Sequence, residues 1–131
     1  MSNKPHKHLA GSHLKVQARL MLDEEIAFGP GKADLLDAIH ATGSISAAGK
    51  QLGMSYRRTW MLVDSMNRCF QQPLVETATG GAKGGGSQLS ALGVEVLKHY
   101  RELQAAIDLV TREHFPVFQP WLRSSPLPAT A

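Results

Sequence analysis

The chain of 131 residues holds one cysteine, Cys69. A lone thiol excludes an intramolecular disulfide and any zinc site made of cysteines alone. No apolar run is long enough to cross a bilayer, so no membrane-spanning segment and no membrane partner are expected. The N-terminus is polar and basic and lacks the apolar core of a signal peptide, which makes a reduced, cytoplasmic setting the expectation. The chain also lacks a recognisable nucleotide site. Its glycine-rich stretch, residues 79–87, has one lysine, Lys83, followed by Gly84 rather than Ser or Thr, so no P-loop closes. The G-x-G-x-x-G spacing is not met there either, and the context is a hairpin rather than a βαβ unit. The six histidines are scattered, and no carboxylate pair or metal-ligand spacing stands out. His6, His8 and His13 lie in a polar tail without a carboxylate or cysteine partner, which argues against a metal site. Cys69, beside Phe70 and late in a helical stretch, reads as a small buried hydrophobe rather than a nucleophile. No catalytic residue, metal or cofactor is therefore expected, and the chain is not read as an enzyme.

What is present is average in amount and uneven in placement. Hydrophobic residues make up 43% and charged residues 19%, as in an ordinary soluble domain. A chain of this length buries roughly two-thirds of its unfolded surface and needs no covalent staple. The net charge is +3. Residues 1–20 carry Lys4, Lys7, Lys15 and Arg19 and no acid, and residues 50–83 set Lys50, Arg57, Arg58, Arg68 and Lys83 against Asp64 and Glu76. Basic stretches attract polyanions. On charge alone, a solubilising tail and a solvated helix face are the favoured explanation.

Periodicity and punctuation divide the chain into an expected tail at 1–13, one folded unit at 14–115 and a proline-rich tail at 116–131. Leu14, Val16, Ala18 and Leu20 alternate with Lys15, Gln17 and Arg19, which predicts a half-buried strand over 14–22. Residues 23–31, ending in Gly-Pro-Gly, read as a loop. A helix is predicted over 32–42 from Leu35, Leu36, Ala38 and Ile39, and Gly43 stops it. Ser44 caps a short helix over 45–52, with Ile45, Ala48 and Leu52 inward. Ser55 caps a third helix from 56 to about 71, with Thr59, Val63, Met66 and Phe70 inward and Pro73 beyond its end. Residues 74–77 and 88–90 form a hairpin whose tip is the glycine-rich stretch. Ser90 caps a long helix over 91–115, ended by Pro116. Leu92, Val96, Tyr100, Leu103, Ile107 and Val110 step along it by fours and threes, close to a coiled-coil seam. The fold class expected is mainly α with a small β component.

Two short helices joined by a tight turn at Gly53 make a helix-turn-helix, and a hairpin after the second helix makes the wing of a winged helix. Small residues, Ala47, Ala48 and Gly49, stand where the first helix must lie close to the second. Tyr56, Arg57 and Arg58 fill the first turn of the second helix, the turn that meets base edges in the major groove of DNA in proteins of this architecture. Arginine can hydrogen-bond guanine O6 and N7 in pairs or clamp a phosphate. Lys83 at the hairpin tip is placed to reach the backbone or the minor groove. The long helix carries more apolar stripe than a small winged helix needs internally, so Leu92, Val96, Tyr100, Leu103 and Ile107 are candidates for a dimer interface.

The run TGSISAAGKQLGMSYRRTW over residues 42–60 resembles the N-terminal domain of the ModE family of bacterial molybdate-responsive transcription regulators. It is similar, more distantly, to the winged helix-turn-helix of LysR-type regulators. The resemblance continues through Met66-Asn67, the VETATGG run at 75–81, the glycines to Gly86 and the long helix after Ser90, covering about residues 14–115. It implies a dimeric winged-helix domain on double-stranded DNA, with Ser46, Ser55, Tyr56, Arg57, Arg58 and Trp60 at or near the DNA and Lys83 in the wing. Periodicity puts Trp60 at the edge of the core, whereas the LysR-like alignment turns it towards the groove. The family's C-terminal molybdate-binding modules have no counterpart in residues 116–131, so direct molybdate sensing is not expected. The reading is a ModE-like regulator that binds a palindromic site as a homodimer. The alternative is an interaction module that heterodimerises, through the long helix, with a full-length ModE-like partner.

Overall fold

A computed structural model of the chain describes residues 11–78 and 86–130. Strand β1 (Leu20–Leu22) pairs antiparallel with β2 (Glu25–Phe28). Helices α1 (Pro30–Thr42), α2 (Ile45–Gln51) and α3 (Tyr56–Cys69) follow. Strands β3 (Val75–Ala78) and β4 (Gly86–Leu89) form a second antiparallel pair, and α4 (Ala91–Phe118) leads into a 3-10 turn at Gln119–Trp121. The fold is mainly α with two small sheets and a long C-terminal helix. Among the described residues no helix is long and apolar enough to cross a membrane.

The core is where α1 crosses the other helices. Leu35, Leu36 and Ile39 of α1 are fully buried with Phe28, Met66 and Leu74. The Phe28 ring meets Tyr100 edge-on at 5.1 Å and Phe70 at 6.3 Å, so β2, α3 and α4 converge on one aromatic cluster. The Tyr100 hydroxyl donates to the Ala18 carbonyl at 2.8 Å, and burial pushes its pKa up.

Three expectations are corrected. The strand predicted over 14–22 is only Leu20–Leu22, and of the alternating set only Ala18 packs against the core, while Leu14, Val16 and Leu20 are exposed. The alternation has no ladder partner before Leu20. The loop predicted over 23–31 contains β2 and the start of α1. The chain reverses at Asp23, which takes φ 54°, a conformation an aspartate tolerates better than most residues. Pro30 opens α1 at a position where its missing N–H costs nothing. Finally, Pro116 lies inside α4 instead of ending it. The one backbone bond it removes falls in the last turns of the helix, beside the exposed Arg112, where water can satisfy the freed carbonyl.

Candidate nucleic-acid interface

The α2–turn–α3 unit is built by local chemistry. The Ser44 hydroxyl accepts from the Ala47 N–H at 3.0 Å, and the Ser55 hydroxyl accepts from the Arg58 N–H at 3.1 Å, so both helices begin on side-chain caps. Gly53 takes φ 73° in the turn between them, a left-handed conformation costly for other residues. The two helices touch at Gly49. A Cβ there would stand 2.0 Å from Thr59 Oγ1, and Thr59 is fully buried with that hydroxyl donating to the Ser55 carbonyl at 2.8 Å.

This packing leaves one face of the unit to solvent. Ser46, Lys50, Ser55, Tyr56, Arg57 and Arg58 are all exposed, Tyr56 at 70%. Trp60, one turn on from Tyr56, is 37% exposed with its ring 6.1 Å from the tyrosine ring, so it belongs to the outer face rather than to the core. Six of the seven residues expected at a DNA contact are therefore solvent-exposed on α2, α3 or the turn between them, and the seventh, Lys83, lies outside the described residues. A cleft of about 410 Å³ opens in this surface, lined by Ser46, Ala47, Lys50, Met54 and Tyr56. Among the described residues, Lys50, Arg57 and Arg58 form no ion pair with a carboxylate.

Arg68 behaves differently. It donates to Asp64 at 2.9 Å and to Glu25 at 3.0 Å, which removes it from the basic face. Glu25 also accepts from the Ser65 hydroxyl at 3.0 Å, and Ser65 in turn accepts from the buried Lys32 ammonium at 2.9 Å. The Ser65 and Arg68 hydrogen bonds hold the Glu25 carboxyl below its ordinary value, and burial pulls the Lys32 ammonium down. This network fixes β2 and α1 behind the C-terminal half of α3.

The Ser90 cap of α4 is legible in the sequence, but the side chain and backbone bonds that anchor the hairpin are not. The Asn67 amide oxygen accepts from Leu74 N at 2.9 Å and Val75 N at 3.2 Å, and its NH2 donates to the Val75 carbonyl at 3.2 Å. One side chain on α3 thus sets the start of β3. Ser87 N donates to the Gly43 carbonyl at 2.9 Å, tying β4 to the α1–α2 turn. Ser90 caps α4 through Gly93 N at 3.0 Å and donates to the Pro73 carbonyl at 2.6 Å.

The apolar stripe of α4 divides in two. Tyr100 is buried in the chain's own core, and Leu92 and Val96 pack partly against it. Beyond Tyr100, Leu103 is 41% exposed and Val110 53% exposed, with Ile107 half-buried between them. Arg101 sits at the division and bridges Asp34 at 3.1 Å and Asp37, tying α4 to α1. Burial alone would lower the Arg101 pKa, but the hydrogen bonds to Asp37 and Asp34 outweigh it and raise it. Among the described residues no group of three or more His, Cys, Asp or Glu could hold a metal.

No protein-family model matches the chain. Among curated proteins it is 49% identical over 70 residues to the molybdenum transport protein ModE of Herbaspirillum seropedicae, covering 53% of this chain and 26% of that protein. It is 37% identical over 108 residues to the transcriptional regulator ModE of Yersinia pestis, covering 79% of this chain and 39% of that protein. It is 36% identical over 102 residues to the DNA-binding transcriptional dual regulator ModE of Escherichia coli K12, covering 75% and 37%. The chain thus spans between a quarter and two-fifths of the length of the relatives it matches.

Proposed function

We propose that the chain is a DNA-binding unit of a ModE-type transcription regulator, a winged helix-turn-helix that reads a palindromic duplex as a homodimer. The observation that carries this reading is the first turn of α3, where Tyr56, Arg57 and Arg58 stand exposed behind the Ser55 cap and no described carboxylate neutralises either arginine. Exposed arginines at that position are what a major-groove reader requires. The similarity to a transcriptional regulator of Yersinia pestis and a DNA-binding transcriptional dual regulator of Escherichia coli supports the same reading.

In this account Arg57 and Arg58 divide base edge and phosphate between them, Ser46, Ser55 and Lys50 meet the backbone, and Tyr56 and Trp60 pack along the groove wall. Lys83 extends the contact from the wing. Dimerisation runs along α4, with Leu103 and Ile107 in the seam, Tyr100 setting its position from within the core, and Leu92 and Val96 at its margin. A two-fold axis there sets the two α3 helices about 34 Å apart, or a multiple of that, to match the two half-sites. No role in molybdate binding is assigned to the described residues.

The test is recovery of duplexes from a random-sequence library, followed by competition between the recovered duplex and a scrambled one. A palindromic consensus supports the reading. Failure to bind any duplex overturns it and transfers attention to a protein partner for α4.

A further inference from the structure

The cleft between α2 and the start of α3 is out of character with the face around it. Its lining combines two polar residues, Ser46 and Lys50, with Ala47, Met54 and Tyr56. Met54 is half-buried, and the Tyr56 ring is backed by Trp60 at 6.1 Å. A phosphate or a hydrogen-bonding base edge gains nothing from an alanine, a methionine and a ring. The major groove offers one apolar group, the methyl on C5 of a pyrimidine, which thymine carries and cytosine does not.

We propose that this cleft is a 5-methyl-pyrimidine pocket, in which Ala47, Met54 and Tyr56 enclose the methyl group of a thymine in each half-site. The inference rests on the DNA-reading function proposed above and deepens it. The charge arrangement fits this occupant. Lys50 on the rim carries the cation a phosphodiester beside that thymine requires, and Arg57, next in the chain to Tyr56, falls towards the neighbouring base pair. The cleft is larger than one methyl group, which leaves room on the Ser46–Lys50 side for the adjoining backbone. Arginine-to-guanine pairing and methyl packing then specify different positions of the same half-site.

The test uses the duplex recovered from the random library and replaces its thymines by uracil, one symmetric pair at a time. Uracil keeps every hydrogen bond of thymine and lacks only the methyl. Burying one methyl corresponds to about fourfold in affinity, so one symmetric pair loses about fifteenfold when both half-sites are filled. The expected result is a loss of that size at one pair of positions. Met54→Ala is expected to shrink the loss while leaving the duplex preference at the guanine positions. Placing 5-methylcytosine, paired with guanine, at the same position separates the methyl from the base. Partial recovery relative to cytosine supports the pocket, and none overturns it. Duplex binding with a clear consensus but no uracil-sensitive position overturns the inference and leaves the DNA-reading function standing. Absence of binding to every duplex removes that function as well. The uracil series needs no protein variant, so it stands even if Met54→Ala fails to fold.

Discussion

Gly49→Ala is the most revealing single substitution in the helix-turn-helix. On helix propensity alone it should stabilise α2, because alanine is favoured over glycine in a helix interior by up to about 1 kcal/mol. The packing predicts the opposite. The added Cβ would lie 2.0 Å from Thr59 Oγ1 and 2.8 Å from Thr59 Cβ and Cγ2. Thr59 has no solvent to retreat into, and its hydroxyl is held by the Ser55 carbonyl at 2.8 Å. Overpacking of this kind costs about 1–3 kcal/mol, and the severity of the overlap places it at the upper end. Set against the propensity gain, the expected net loss is about 2 kcal/mol, or about 8 °C in Tm at fixed protein concentration. Urea denaturation followed by circular dichroism measures it. Thr59→Ala in the same chain removes the 2.0 Å contact but not the one to Cβ, so the double variant should recover part of the loss, with a coupling of at least about 0.5 kcal/mol. A Gly49→Ala protein as stable as the parent, or more so, would refute the claim that α2 and α3 meet backbone to side chain at this point.

Further outcomes follow from the same structure. Asn67→Ala is expected to cost about 1–3 kcal/mol, because the buried start of β3 loses the amide that satisfies Leu74 N and Val75 N; unchanged stability in urea would remove Asn67 from its role in holding the hairpin. Arg57→Ala should cost about 1–3 kcal/mol per half-site and relax the base preference at one position in each, whereas Lys83→Ala, changed in both protomers, should weaken all duplexes alike and make the salt slope shallower by about 2. Equal effects of both on every sequence would contradict that division of roles. Leu103→Asp, at an exposed position on α4, should give a folded monomer in light scattering, and a dimer of undiminished stability would contradict the α4 seam. Glu25 is held below its ordinary value of 4.5 by the Ser65 hydrogen bond and by Arg68, so its contribution is present above about that pH and disappears as pH falls through the lower folded value. Glu25→Gln should flatten the fall in stability below pH 4.5; an identical acid profile would contradict this coupling.

The parts of this fold that local chemistry dictates are legible from the sequence. Ser44, Ser55 and Ser90 each precede a helix and each accepts from a backbone N–H three residues on. Gly53 stands where the turn needs positive φ. The exposed first turn of α3 follows from the Ser55 cap and the inward set Thr59, Val63 and Met66. What escapes the sequence depends on distant partners. Strand β2 does not alternate, because Ala27 and Phe28 are buried in succession, Phe28 against the Phe70 and Tyr100 rings. Leu14 and Val16 alternate without a sheet to meet. Arg68 counts towards the basic stretch in sequence, yet Glu25, 43 residues upstream, neutralises it. Asn67 carries no sign in its own neighbourhood that its amide will set a strand seven and eight residues further on. The stripe on α4 is continuous in sequence, and only packing shows that Tyr100 belongs to the core while Leu103 faces solvent.

The central claim is that Arg57, Arg58 and their neighbours read duplex DNA. Fluorescence-anisotropy titration across a salt series, with a library-recovered palindrome and a scrambled duplex, tests it most directly. If Lys50, Lys83 and one arginine of each protomer neutralise phosphates, log K falls with log salt at a slope of about −5 on both duplexes. The palindrome is further expected to be preferred at every salt concentration. Salt-steep binding that is equal for both duplexes would contradict sequence reading, and no binding to either would contradict the interface itself.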